Sequence, residues 1–355
     1  MCNIQKLLLY GICLFLLSCK SGGGTANNKE IIEAPVFRDL AGELLIRGED
    51  KLMVSNDITL TGSVLTMVDM MTAGGRFFLS YSLDDGRFLY SFGSKGHGPQ
   101  EFTGPVLSFK PKNKVKDKFR VYDINSLRSA EITIRSDTAY IAQAPSPGKL
   151  GFCFNLNKTD DGTYFGTRLG DYEGLYFMFD ESQETFKWVE YSSEFDKDID
   201  PRYKYDAYYC DMCVNEEKRI VAAALRYFNK VLFFDFDGNL IKEVQLGKTE
   251  ITPRWDRVNN VVDNEPEDPL CFIEVQMTDN YVYCVHLGLS DERSEIRDPS
   301  EVYVFDYDLN LAAAFQLDRA VSKIAVDRDD RFFAGTTDDG TGLTDIVKYD
   351  LPKMK

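Results

Sequence analysis

The sequence predicts an all-β fold, a six-bladed β-propeller of four-stranded blades whose last blade is closed by a strand from the N-terminal segment. Three observations carry this expectation. A hairpin-like unit recurs along the chain, an aromatic residue followed by aspartate marks the same place in its copies, and the final unit runs out of chain one strand short. Self-similarity at a fixed period marks a repeat architecture, and about 40 to 45 residues is the length of one four-stranded propeller blade.

The two strongest copies are residues 231–246 (VLFFDFDGNLIKEVQL) and 302–317 (VYVFDYDLNLAAAFQL), identical at eight of sixteen positions without a gap. Residues 119–134 (FRVYDINSLRSAEITI) follow the same outline at the same length, and residues 176–191, 346–350 and 78–82 follow it more loosely. The fourth position is aromatic in all six copies: Tyr81, Tyr122, Phe179, Phe234, Phe305 and Tyr349. The fifth is aspartate in five, Asp123, Asp180, Asp235, Asp306 and Asp350, with Ser82 the exception. An alternating strand, a polar turn and a second strand make a β-hairpin, and an aspartate at the strand end accepts hydrogen bonds from turn amides. Turn chemistry, not catalysis, is the expected role of these carboxylates.

Each hairpin is expected to be the outer pair of a blade, strands C and D, because two further strand-like stretches precede it. They are seen best at residues 208–214 and 219–225, and again at 270–276 and 281–287. Successive fifth positions lie 41, 57, 55, 71 and 44 residues apart, so the longer gaps imply long loops. The last unit has three strands, near residues 321–326, 331–336 and 344–350. A strand from within residues 31–54 is expected to supply its fourth, which closes the ring and removes an exposed sheet edge.

Residues 1–18 have the plan of an export signal: Lys6, an apolar run over residues 7–17, then Ser18 before Cys19. Eleven apolar residues are too few to span a bilayer, which takes roughly 20. Residues 16–19 (LLSC) resemble the lipobox of bacterial lipoproteins, in which the cysteine thiol is acylated and the chain is cut before it. The expected organisation is a signal peptide over 1–18, a lipidated Cys19 with a flexible tether over 19–29, and the propeller over 30–355.

The 57 Asp and Glu outweigh 41 Lys and Arg, for a formal net charge of −16, and such a surface repels phosphate backbones. No nucleic-acid partner is expected, and contact with the membrane is expected only through the lipid. Five cysteines follow Cys19, an odd number that argues against a complete disulfide framework. Cys210 and Cys213 form a CxxC pair, but their setting (AYYCDMCV) reads as a strand, on which residues three apart point to opposite faces. Neither a disulfide nor a metal pair is expected there.

Residues 92–102 (FGSKGHGPQEF) resemble the FG..G.GPGEF stretch of the six-bladed, TolB-like or NHL-like propeller lipoproteins of Bacteroidota, with Gln100 in place of the usual glycine. With the lipobox and the aromatic-Asp hairpins, the resemblance covers nearly the whole mature chain. It implies the propeller fold and the anchoring, and little about chemistry. The same stretch fails as a phosphate-binding loop, since Pro99 and Gln100 stand where lysine and Ser or Thr are required. A sharp connection between the first two blades is its expected role.

His97 and His286 are the only histidines, which excludes a multi-histidine metal site. Asp196, Asp198 and Asp200 begin like a calcium loop, but Pro201 and Ala207 occupy the places that need glycine and glutamate. A solvated acidic loop is expected, with calcium the one cofactor the run would suit. No catalytic residue can be singled out.

The long connections are the remaining signal. Residues 136–149, 195–206 and 247–269 are expected to join strand D to the next strand A, and residues 290–300 to join B to C. All would then fall on one face of the propeller. That face is expected to bind a ligand through His97, Glu101, Tyr203, Tyr205, Arg254, Trp255 and Asp256. The leading expectation is a lipid-anchored, non-enzymatic binding or scaffolding protein of the cell envelope with a protein or glycan as partner. The alternative is an extracellular hydrolase or lyase using carboxylates of the same face. An outer-membrane lipoprotein is expected, facing the periplasm or the cell exterior. The tether lacks an early acidic run, which favours the periplasmic side.

Overall fold

The computed structural model describes residues 29–48, 55–69, 75–109, 117–144, 148–168, 174–197, 199–263, 268–289, 298–338 and 343–354. The expected signal peptide, Cys19 and the tether up to residue 28 lie outside the described residues. Six sheets are arranged as blades, and the first strands of neighbouring blades lie against one another around a closed inner ring. Blade 1 consists of Ser55–Thr61, Val64–Asp69, Arg76–Ser82 and Phe88–Lys95, and blade 2 of Pro105–Phe109, Lys118–Asp123, Arg128–Ile134 and Ala139–Ala144. Blade 3 follows with Cys153–Lys158, Thr163–Arg168, Tyr176–Asp180 and Thr185–Val189, and blade 4 with Cys210–Asn215, Ile220–Leu225, Lys230–Asp235 and Leu240–Leu246. Blade 5 holds Pro269–Met277, Val282–Leu289, Glu301–Phe305 and Leu311–Leu317. Within each blade these strands are A to D from the axis outward.

Blade 6 contributes Lys323–Val326, Phe332–Asp338 and Thr344–Asp350, and its strand D is Glu43–Ile46 from the N-terminal segment, antiparallel to strand C. The expected closure is therefore met. The segment does more than the sequence suggested. Before reaching blade 6, Lys29–Ile32 adds a parallel strand outside strand D of blade 4, and Phe37–Leu40 does the same on blade 5. Lys29, expected in the tether, already pairs with Glu243. Ion pairs Lys29–Glu243 at 3.6 Å and Lys248–Glu33 at 3.1 Å reinforce the strap, as does Lys242 with Glu30, while Ile32 enters the core and Phe37 sets its ring edge-on to Tyr303 at 5.8 Å.

A blade is buried on both faces, so its strands read as continuous apolar runs; Ile220–Leu225 (IVAAAL) is buried throughout. The core is six separate clusters, one in each seam between adjacent blades. The seam between blades 6 and 1 brings Ile46 together with Ile58, Leu65 and Ile346 and completes the ring. Every fourth-position aromatic of the repeat is a seam residue, none more than 5% exposed. Burying one such ring is worth about 1.5–3 kcal/mol.

The fifth-position carboxylates of blades 3, 4 and 5 do turn chemistry, whereas Asp350 of blade 6 is exposed and pairs with Lys348 at 3.3 Å. Asp180 accepts from the amides of Ser182 and Gln183 at 2.8 and 3.1 Å, Asp235 from those of Asp237 and Asn239 at 2.9 and 2.8 Å, and Asp306 from that of Asn310 at 2.9 Å. Burial pushes Asp235 upward, but the hydrogen bonds from Asn239 and the turn amides outweigh it and hold the carboxyl below its ordinary range.

One hairpin occupies a different place from the one expected. Residues 119–134 form strands B and C of blade 2, not C and D, and their turn lies on the opposite face, where Asp123 accepts from Thr103 of the incoming chain at 2.6 Å. Residues 136–149 are accordingly no long D–A connection, because Ala139–Ala144 within them is strand D of blade 2. The hairpin pattern is common to any pair of antiparallel strands, so it marks a strand pair without fixing its rank in the blade.

The five cysteines after Cys19 are all buried, and each is a thiol and not half of a disulfide. Cys210 packs between blades 3 and 4 and Cys213 between blades 4 and 5, opposite faces of one strand as expected. Burial raises the Cys153 and Cys271 thiols to about 12 and pushes Cys210 up as well.

Two predictions follow from this packing. Deleting residues 29–48 removes the outer strand of blade 6 and the buried contacts of Ile32, Phe37 and Ile46, and should lower the unfolding midpoint by more than about 10 °C with loss of the monomer on gel filtration; an unaltered melt of a monomeric product would contradict the closure. Cys153, Cys210, Cys213, Cys271 and Cys284 should resist a thiol-specific dye at pH 8 until denaturant is added, and rapid labelling of any of them in the native protein would place it wrongly.

Candidate functional site

Strands B to C, and strands D to the next A, are joined on one face of the ring. Among the described residues two long connections rise from it, between blades 3 and 4 and between blades 4 and 5, while residues 290–297 of the expected long B–C loop of blade 5 lie outside the described residues. The first carries two short 3-10 turns, Glu194–Asp196 and Pro201–Tyr203, and a single helical turn, Lys204–Ala207. Ser193 accepts from the Phe195 amide at 3.3 Å and hydrogen-bonds the Tyr208 hydroxyl at 2.8 Å, which pins the connection to the core. Asp196, only 4% exposed, pairs with Lys204 at 2.6 Å, and Asp200 pairs with Arg202 at 2.6 Å. Two acids of the calcium-like run thus have cationic partners from their own loop. Asp198 lies outside the described residues.

The second connection folds into a small hairpin, Trp255–Asp256 against Val261–Val262. Asp256 accepts from the amides of Val258 and Asn259 at 2.7 and 3.1 Å, so its carboxylate shapes the turn. Those hydrogen bonds lower its pKa. Arg254 pairs with Asp268 at 2.7 Å. The tip exposes Val258 (88%) and Val261 (43%), with Trp255 half-buried behind them. The Val262 amide donates to Asp206 at 2.6 Å and locks the hairpin to the neighbouring connection.

Five of the seven expected residues, Tyr203, Tyr205, Arg254, Trp255 and Asp256, therefore belong to one assembly of two joined loops. His97 and Glu101 share the face but not the assembly, because the connection from blade 1 to blade 2 lies two blades around the ring from the first of these connections and three from the second. Its geometry is that of a sharp crossing. Gly93 and Gly96 adopt φ of +71° and +155°, and a Cβ on Gly96 would meet the Glu101 carboxylate at 2.1 Å. That carboxylate accepts from the Gly98 amide at 2.8 Å, while Phe92 and Phe102 of the motif pack on Phe78 at 4.8 and 5.3 Å.

The sequence reading missed a second group, at the inner mouth of the same face. Glu274 of blade 5, 1% exposed, accepts from Lys323 of blade 6 at 2.7 Å and from Gln276 at 2.8 Å. Asp211 of blade 4 accepts from the Val275 amide of blade 5 at 3.1 Å, and Asn155 of blade 3 donates to the Cys210 carbonyl of blade 4 at 3.0 Å. These ties stitch the inner strands of blades 3 to 6. Asn155 holds φ of +49° inside a bulged strand, a conformation asparagine tolerates better than most residues.

Aromatic rings stand above the ties. Phe152, 43% exposed, meets Phe154 edge to face at 5.1 Å. The Arg226 guanidinium lies over the Tyr209 ring at 5.3 Å, held there because the Arg226 amide donates to the Tyr209 carbonyl at 2.9 Å. Burial raises the Tyr209 hydroxyl, and the charges of Arg226 and of Lys323 from blade 6 oppose it. The available signal was a charged residue interrupting an apolar inner strand, as Asp211 does in AYYCDMCV and Glu274 in LCFIEVQM. Among the described residues no group of three or more His, Cys, Asp or Glu side chains is placed to hold a metal ion.

Comparison with known proteins agrees with this architecture. The chain is similar to a member of the DUF4221 family from Bacteroides vulgatus, at 11% identity over 90% of this chain and 98% of that one, with a TM-score of 0.58. It is also similar to a Bacteroides fragilis protein classed as exported, at 12% identity over 92% and 99% of the two chains, with a TM-score of 0.53. At such identities the likeness is one of fold. No curated protein matches. The model of the TolB-like six-bladed propeller family matches residues 49–329, most of the chain, and the protein belongs to that family.

Proposed function

We propose that this propeller is a lipid-anchored, non-enzymatic binding module of the cell envelope, with the long-loop face as its recognition surface for a protein or glycan. The observation that carries the reading is the employment of the carboxylates at the channel mouth. Glu274 is held by Lys323 and Gln276, and Asp211 by the backbone amide of the next blade, so both serve as struts between blades. A hydrolase or lyase would need a carboxylate free to move a proton in reach of substrate. The exposed hairpin tip and the tyrosines of the joined loops supply contact area of the kind that anchors partners.

The anchoring rests on Cys19 and its lipobox context. An outer-membrane location, facing the periplasm or the exterior, fits that anchor and the similarity to an exported Bacteroides protein. A calcium ion, the one cofactor the acidic run would suit, has no part in the reading.

Cys19→Ala should abolish incorporation of radiolabelled palmitate and move the protein from the membrane to the soluble fraction; unchanged fractionation would contradict the anchor. Trp255→Ala and Tyr203→Ala should each leave the melting temperature within about 3 °C of the parent, while at least one weakens capture of envelope-extract components by tenfold or more. Capture untouched by both would move the recognition surface elsewhere.

A further inference from the structure

We infer that the propeller is held with its short-turn face, the one carrying the A–B and C–D turns, toward the membrane, so that the long-loop face points into the aqueous space and meets partners that arrive from there. The inference rests on the reading of the protein as lipid-anchored through Cys19 and goes further by assigning each face of the ring to a side.

The direction of the N-terminal strap carries the inference. Lys29–Ile32 runs parallel to strand D of blade 4, with Lys29 beside Glu243 and Ile32 beside Leu246. Strand D of that blade starts after the C–D turn of residues 236–239, on the short-turn face, and ends at Leu246, where the connection bearing the Trp255 hairpin begins. The strap strand therefore points its N-terminal end at the short-turn face. That end is fixed. The Lys29 ammonium pairs with Glu243 at 3.6 Å and Glu250 at 3.8 Å, and the same two carboxylates hold the buried Lys230 at 3.1 and 2.8 Å. At the other end of the strand the Gly247 amide donates to the Ile32 carbonyl at 2.8 Å, and the Ile32 side chain is buried in the seam between blades 4 and 5.

Lengths then decide the orientation. Ten residues lead from Cys19 to Lys29, a reach of at most about 35 Å. On the short-turn side only the stretch of strand D from Leu240 to Glu243, about 10 Å, separates Lys29 from the end of the blade, which leaves ample length to reach a bilayer. To place the bilayer over the other face, the chain would have to reverse at Lys29, retrace about 10 Å of its own strand and then clear the two connections that flank blade 4. Those connections, tied by the Val262 amide to Asp206 at 2.6 Å, stand at the far end of the blade from the tether. Attraction of the short-turn face to lipid does not set the orientation. Near the tether that face presents Glu216, Glu217, Asp237 and Asp308 against Lys218 and Arg219, an acidic balance that gains nothing from anionic headgroups.

The test is energy transfer to a rhodamine-labelled headgroup lipid in phosphatidylcholine vesicles carrying the full lipidated chain. The donor dye sits on one introduced thiol: Asp237→Cys or Asp308→Cys in the short turns, or Val258→Cys at the hairpin tip, all three at exposed positions, while the native thiols after Cys19 are buried. Transfer from positions 237 and 308 should exceed that from 258 by about twofold or more, because the two faces lie about 20 Å apart, the length of a seven-residue strand. Inserting about 30 Gly and Ser residues after Asn28 should shrink the difference, since the tether then no longer limits the reach. Transfer strongest at 258, or equal at all three positions, overturns the orientation and leaves the anchor standing. A difference that survives the insertion overturns the tether as its cause. Chains that stay off the vesicles altogether overturn the anchor, and the orientation with it.

Discussion

A sheet that is apolar on both faces has no stable exposure to water, and in this chain all six sheets are of that kind. Each blade must be covered twice. A row of blades leaves two faces bare, and a ring leaves none. The closure of blade 6 by Glu43–Ile46 is therefore the constraint on which the other five seams depend, because Ile46 of that strand supplies part of the seam to blade 1. The strap that leads to it adds further hold. Lys29–Ile32 and Phe37–Leu40 cover the outer edges of blades 4 and 5, so that one continuous N-terminal segment touches half of the ring.

The proposed recognition face follows from that rigidity. The inner strands converge because the seams fix their angle, and the polar ties Asn155–Cys210, Asp211–Val275 and Glu274–Lys323 settle their relative height. Loops can then grow on one face without disturbing the core, and the Trp255 hairpin and the Lys204–Ala207 turn brace each other through Asp206 and Val262. The same carboxylates that position the mouth are held in place by it. That is the physical basis for reading a binding surface here.

The sequence revealed the elements whose pattern is local. Tyr122, Phe234, Phe305 and Tyr349 announced the seams because a repeated aromatic at one register must meet a repeated environment. The missing fourth strand of the last blade could be counted. What remained hidden depended on partners distant in the chain. Nothing in KEII or FRDL distinguishes a parallel edge strand from a tether until strand D of blades 4 and 5 is placed beside it. The rank of the 119–134 hairpin was invisible because B–C and C–D pairs share one pattern. Glu274 and Lys323 stand 49 residues apart, and only the ring brings them to 2.7 Å.

The dependence of the whole ring on its closing strand is most directly tested by native-state hydrogen exchange. If closure limits the stability of every seam, amides of Glu43–Ile46 that pair with strand C of blade 6 should exchange only through global opening, with the same free energy as those of Ile220–Leu225 in the middle of blade 4. Exchange of the Glu43–Ile46 amides by local fraying, several kcal/mol below the Ile220–Leu225 amides, would show that the ring holds without its closing strand and would contradict the account.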